Sequence, residues 1–247
     1  MRGWIVPPPT VSRKTARDYA RERERKVLGL ELRGLLKSPR IKSALLKVHR
    51  EEFIPHDYRD YAYWEVPLPL PGVASTISCP HSYPLFYEPL GLDLGHRFLE
   101  VGTGSGYGAA VAREIVGDDG LVVSTEIDPL TYEFARSNLQ RAGYKDILLV
   151  LSDGGLGYAE AAPYDCIAVT AACACVPAPL IDQLKPGGRA IAPVLKGDRQ
   201  ILTLATKQLD GGVQHKPICD VLYVPLRGEY GTHTSDDPLA AGRAWCS

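Results

Sequence analysis

Residues Arg97–Val116, RFLEVGTGSGYGAAVAREIV, restrict the fold of this chain more than any other stretch. RFLEV reads as a strand and YGAAVAREIV as an apolar helix, with Gly102, Gly104 and Gly106 alternating between them. A strand that passes through a glycine turn into a helix opens an open α/β sheet, and ligands bind at the carboxyl ends of such strands. Positions without side chains let a ligand approach the backbone. The plain alternative is a tight turn that holds nothing.

The alternation continues downstream. GLVVSTEI, DILLVLSDG and YDCIAVTAA read as strands, and PLTYEFARSNLQRAG and PAPLIDQL as helices. GGRAIAPVL, QILTLATKQL and the stretch through ICDVLYVPL complete the series. Strands alternating with helices predict an α/β, doubly wound, mostly parallel sheet covered on both faces. The last strands follow one another through a turn at Asp210–Gly212, which predicts an antiparallel edge.

Ahead of this unit, residues 1–10 are proline-rich and expected to be extended. Residues 11–50 hold thirteen Lys or Arg against four acids, with leucines at three- and four-residue steps. They read as two amphipathic helices broken near Pro39, forming a basic helical extension over 1–50. Such a face could attract RNA or an acidic partner, but a solvated surface is the plainer reading. The prolines of residues 51–96 rule out a central strand or long helix, leaving a long ordered loop with a short helix near Tyr83–Leu90. Long ordered loops are often functional. The expected domain spans 51–231, with a substrate loop over 60–82 and a flexible tail over 232–247.

Composition narrows the class. The net charge of −1 gives no sign of a general nucleic-acid binder. No apolar run reaches the roughly 18–20 residues of a membrane span, and the N-terminus lacks a signal-peptide stretch, so cytoplasm is the expected compartment. Cys173 and Cys175 form a bare C-x-C without a second pair or nearby histidine, so no metal site is expected. Oligomeric state is left open, with a monomer as the default.

Three ligand classes compete for the glycine loop. A phosphate-binding P-loop needs Lys then Ser or Thr after the glycines, and Tyr107, Gly108 and Ala109 stand there instead. A dinucleotide loop, G-x-G-x-x-G/A, is met loosely by Gly104, Gly106 and Ala109. Glu100 favours a third class. A carboxylate expected at the mouth of the site repels a pyrophosphate and suits the ammonium and sulfonium of S-adenosylmethionine. Glu126, at the end of the second strand, can accept bonds from both ribose hydroxyls. Asp153 either accepts from the adenine amino group or shapes a turn.

Taken in order, E-x-G-T-G-S-G-Y, T-E-I, S-D-G, A-P-Y-D-C-I-A-V-T-A-A and Q-L-K-P-G-G-R resemble the protein-L-isoaspartate O-methyltransferase family. YAYWEVPLPLPGVASTISCPH upstream and YVPLRGEYG downstream extend the resemblance over roughly residues 40–231. It implies a Rossmann-like class I methyltransferase that uses S-adenosylmethionine to methylate the α-carboxylate of L-isoaspartyl residues, which starts the repair of damaged proteins. The partners implied are damaged proteins or peptides, with no membrane or nucleic acid. An alternative is a tailoring methyltransferase acting on one aspartate of a specific partner. A catalytically idle binding module is a third reading, and the Glu100, Glu126 and Asp153 set argues against it.

A carboxylate of pKa about 3.9 is already ionised near neutrality, so no general base is required. The task is to hold its oxygen about 3–3.5 Å from the methyl, in line with the departing sulfur. The resemblance makes Ser78 the positioning hydroxyl, which donates to one oxygen and leaves the other to attack. It assigns Thr76, Ile77, Ser78, Glu100, Gly102, Thr103, Gly104, Ser105, Gly106, Glu126, Ile127, Asp153 and Gly154 to the cofactor. Tyr63, Glu65, Pro80, His81 and Leu226 fall to the peptide groove, with His81 ordering the loop or touching the peptide. Glu65 replaces the family's usual Asp, Cys79 its Ala, Ala74-Ser75 its Gly-Gln and Ser82 its Met. These departures surround the groove and bear on substrate choice more than on reaction type.

Overall fold

The structure, a computed structural model, describes residues 6–73 and 75–231. The tail expected over 232–247 lies outside the described residues. The N-terminal region forms α1 (Ala16–Leu32) and α2 (Pro39–Lys47). A capping box between Thr15 and Asp18 starts α1, and Tyr19, Arg23, Val27 and Leu30 form its buried stripe. The break between the two helices falls at residues 33–38, next to Pro39 as expected. Pro39 itself occupies the first turn of α2 behind the Ser38 cap, where its missing N–H costs nothing. Ile41, Ala44 and Leu45 then bury against the core.

Two 3₁₀ turns follow, Arg50–Phe53 and His56–Tyr61. The proline-rich segment supplies only a two-residue antiparallel pair, β1 (Leu68–Pro69) and β2 (Thr76–Ile77), before α3 (Ser82–Leu90). The main sheet begins with β3 (Arg97–Val101), α4 (Tyr107–Val116), β4 (Leu121–Glu126), α5 (Pro129–Ala142) and β5 (Leu148–Leu151). It continues with β6 (Tyr164–Val169), α6 (Ala178–Asp182), β7 (Leu184–Lys196), β8 (Arg199–Lys207) and β9 (Val213–Val221).

The strand order is β5-β4-β3-β6-β7-β8-β9. Strands β3 to β7 pair in parallel, and β8 and β9 are antiparallel. The chain leaves β3 in one direction and returns at β6 in the other, so the glycine loop stands at the topological switch point. Apolar side chains fill both faces. One core joins α1–α4 to Phe98, Val122 and Ile191; the other packs Leu99, Val123, Ile167 and Ala190 against Leu180. Helix α4 is the most enclosed, with Ala109, Ala110, Val111, Ala112, Ile115 and Val116 inaccessible to solvent. Among the described residues no helix is long and apolar enough to cross a membrane.

Candidate functional site

A cavity of about 840 Å³ opens at the carboxyl ends of β3, β4 and β6. That volume lies in the range that encloses a small-molecule ligand. Its walls include the β2–α3 region, the glycine loop with the start of α4, the ends of β4 and β6, and the chain from the end of β9 onward.

Backbone bonds fix the glycine loop. Gly102 N and Thr103 N donate to Thr125 O at 2.9 and 3.0 Å, tying the loop to β4. Gly102 has φ +94°, and a Cβ there would collide with the Thr170 hydroxyl, which itself donates to Gly102 O at 2.8 Å. Only glycine tolerates both conditions. Gly104 N donates to Glu126 Oε2 at 3.0 Å, while Ile127 N and Asp128 N donate to Glu126 Oε1, both at 3.0 Å. Burial raises the Glu126 carboxyl, and these three N–H groups oppose the rise.

Glu100 departs from the expectation of a charged rim. It is 3% exposed and lies beneath the loop, against Gly108 at the start of α4. Register explains its depth: Glu100 pairs with Ser124 on β4, whose hydroxyl donates to Glu100 Oε2 at 2.8 Å. Ser124 in turn meets Thr103 Oγ1 at 2.7 Å. Burial pushes the Glu100 carboxyl up to about 8, with the nearby Glu126 charge adding to the rise. Because the unfolded value is near 4.5, folding takes up a proton between pH 4.5 and 8, and stability falls as pH rises through that window. Glu100→Gln should therefore melt together with the parent near pH 4.5 and increasingly above it toward pH 8. Thermal scans of the ligand-free proteins check this, and parallel melting from pH 5 to 8 would rule it out.

The structure spends Asp153 on the chain rather than on the cavity. Its Oδ1 accepts from Gly155 N at 2.9 Å and its Oδ2 from Glu229 N at 2.7 Å, and Gly228 packs directly on the carboxylate. The turn-shaping reading of Asp153 is seen here, and each oxygen keeps a lone pair beyond its backbone donor. Asp153 and Gly106 are absent from the cavity wall, whereas Gly154 and Ile127 are on it. Gly106 instead caps α4 with φ +86°.

Thr76, Ile77, Ser78 and His81 also line the cavity. Arg50, 1% exposed, sets their position: its Nε donates to Ala62 O and its Nη2 to Ser78 O, both at 2.6 Å. Its guanidinium packs 5.6 and 5.2 Å from the ring centroids of Tyr83 and Tyr107. The Tyr223 hydroxyl is hydrogen-bonded by the Ser78 and Ser82 side chains.

Tyr63, Glu65 and Pro80 stand off the cavity wall. The Tyr63 hydroxyl donates to Glu51 Oε2 at 2.6 Å, in a buried group that Arg23 joins from α1. Glu65 reaches the site indirectly through His81, whose Nδ1 is 2.6 Å from Glu65 Oε2. The last wall is a strap. Leu226 lines the cavity, and Leu226 N donates to Ala172 O at 2.8 Å. Arg227 follows, 3.5 Å from Asp128.

Sequence reasoning missed Arg50, Ser124, Thr170, Tyr223 and Arg227. Only Arg50 had a local signal, as a cation beside an apolar Phe53-Ile54-Pro55 run; the others act through register or long-range closure. The donor set fits a cationic cofactor. Two buried carboxyls, Glu100 and Glu126, lie under a cavity whose lining, among the described residues, includes Arg227 as its one arginine and no lysine.

Known proteins agree with this geometry. The sequence model of the protein-L-isoaspartate(D-aspartate) O-methyltransferase family matches residues 22–231. Over 234 residues the chain is 45% identical to a protein-L-isoaspartate O-methyltransferase of Hyperthermus butylicus, covering 90% of this chain and 96% of the relative. A Methanopyrus kandleri protein of the same name is 46% identical over 216 residues, covering 86% of this chain and 94% of its own. A solved protein-L-isoaspartate O-methyltransferase, 37% identical, superposes with a TM-score of 0.78 over 85% of this chain and 67% of its own. A Plasmodium falciparum structure described as this enzyme in complex with S-adenosyl-L-homocysteine shares the fold, with a TM-score of 0.73 over 83% and 98% at 23% identity. By sequence over most of its length and by fold, the chain belongs to the protein-L-isoaspartate(D-aspartate) O-methyltransferase family.

Proposed function

We infer that this chain methylates the α-carboxylate of L-isoaspartyl residues in damaged proteins, using S-adenosylmethionine, and so initiates their repair. The observation that carries the reading is that Ser78 and the buried Glu100 and Glu126 all line one cavity. Substrate positioning and cofactor binding thus share one enclosed space.

Bound S-adenosylmethionine supplies a methyl group on a sulfonium, open to attack by an anionic oxygen. Glu126 would accept from the ribose hydroxyls with the lone pairs its backbone donors leave free. Glu100 would hold the cationic part, whose charge would favour the ionised carboxyl against the burial that opposes it. Thr76 and Ile77 cover the same region, and Asp153 acts by holding the strap closed. On the substrate side Ser78 Oγ donates to one carboxylate oxygen and leaves the other free. Arg50 keeps Ser78 at that point through its backbone carbonyl. No general base is needed, because the nucleophile arrives ionised. The ester product collapses to a succinimide without further help from the protein, and hydrolysis returns some normal aspartate.

Labelled S-adenosylmethionine with matched peptides carrying L-isoaspartate, L-aspartate or D-aspartate tests the reading. Label should enter the L-isoaspartyl peptide and leave the L-aspartyl peptide unmarked. Equal labelling of both would remove the repair function, and good turnover on a single partner only would favour the tailoring alternative. Ser78→Ala should lose about tenfold or more in kcat, the worth of one hydrogen bond to a charged group, with cofactor affinity retained.

A further inference from the structure

The rim of the substrate side carries a cluster that methyl transfer does not require. Glu65, Cys79 and His81 come from two segments, and one potential ligand atom of each lies within 4.8 Å of the other two. Among the described residues no other group of three His, Cys, Asp or Glu side chains meets that spacing. The set joins thiol, imidazole and carboxylate, donors that zinc-type ions accept together.

The carboxylate is divided between two tasks. Glu65 Oε1 lies 3.0 Å from Lys26 Nζ on α1 and 3.6 Å from Nη2 of Arg33, the residue that caps its C-terminus. Oε2 is 2.6 Å from His81 Nδ1. Helix α1 therefore fixes the plane of the carboxylate and turns its second oxygen toward the imidazole and thiol. Outer partners that orient a ligand in this way are a regular part of metal centres. The His81 side chain is 39% exposed and the Glu65 side chain 31%, so an ion can enter from solvent.

We propose that Glu65, Cys79 and His81 form a three-ligand site for a divalent ion of the Zn²⁺ type at the mouth of the cavity, and that its occupation hinders substrate entry. The ion takes Glu65 Oε2, a His81 ring nitrogen and the Cys79 sulfur, replacing the present hydrogen bond between Glu65 and His81. The thiol proton passes to solvent as the thiolate binds. Three protein ligands leave one tetrahedral position open. Cys79 and His81 both line the cavity, so an arriving peptide carboxylate meets the ion there before it reaches Ser78.

Titration of the full chain with Co²⁺ under reducing conditions tests binding without reference to methyl transfer. The expected result is one equivalent bound with a thiolate-to-cobalt charge-transfer band, displaced by Zn²⁺. The band should vanish in Cys79→Ala and in the near-isosteric Cys79→Ser, and persist in Cys219→Ala. Binding should weaken about tenfold or more in His81→Ala. Absence of the band from the parent, or its survival in both folded Cys79 variants, overturns the proposal. In kinetics, Zn²⁺ should raise the peptide KM of the parent and leave that of Cys79→Ala at the variant's own metal-free value. An equal rise in both would overturn the inhibitory role.

Discussion

Arg50→Ala is expected to lower folding stability by about 3 kcal/mol and to reduce kcat. Two carbonyls, the buried Ala62 O and the part-buried Ser78 O, would lose their charged donor at once. Leaving a buried acceptor unsatisfied costs about 1–3 kcal/mol. The lost stacking on Tyr83 and Tyr107 adds to this, and a cavity forms where the fully buried side chain stood. For a chain of this size the change corresponds to a fall in Tm of roughly 6–12 °C. The kinetic effect has a separate cause. Without Arg50 the Ser78 backbone is no longer pinned, and a small misplacement of a positioning group is costly in rate. Arg50→Lys keeps the charge but cannot reach both carbonyls with one planar fork. It should recover part of the stability and little of the rate. Thermal unfolding with steady-state kinetics on the L-isoaspartyl peptide decides the matter. An alanine variant with the parent's Tm and kcat would show that Arg50 does not organise this wall.

The second large effect is on cofactor affinity. Glu126→Ala should weaken S-adenosylmethionine binding by about 150-fold to 25,000-fold, because two hydrogen bonds to a charged acceptor are worth roughly 3–6 kcal/mol together. Part of the loss is indirect. Glu126 also receives Gly104 N, Ile127 N and Asp128 N, so its removal loosens the glycine loop and the cap of α5. Glu126→Gln retains a single carbonyl acceptor and should fall between the two. Calorimetric titration with S-adenosylmethionine measures both variants, and an affinity unchanged in Glu126→Ala would show the ribose assignment to be wrong.

Much of the fold was legible because it rests on local periodicity. RFLEV and YGAAVAREIV fall on β3 and α4 residue for residue. The edge was read from a turn: the Asp210–Gly212 stretch does join two antiparallel strands. The break read near Pro39 falls at residues 33–38, and Pro39 itself suits the first turn of α2 behind the Ser38 cap. At the site, the sequence located Glu100 at the end of a strand but not its depth. That depth depends on Ser124, 24 residues away, lying opposite it in register. The full set of Asp153 bonds was hidden for a similar reason, since its second partner, Glu229 N, is 76 residues distant.

The sequence by itself determined the alternation of strands and helices, the glycine turn at the switch point and the acids at the strand ends. These follow from neighbours within a few residues, where side-chain period and backbone freedom are settled locally. Tertiary structure alone decided which carboxyl is buried, which arginine holds Ser78, and that Glu65, Cys79 and His81 stand together. Burial and hydrogen-bond partnership depend on segments that come together only when the sheet forms and α1 packs beside the loop, and no short stretch of chain encodes that meeting.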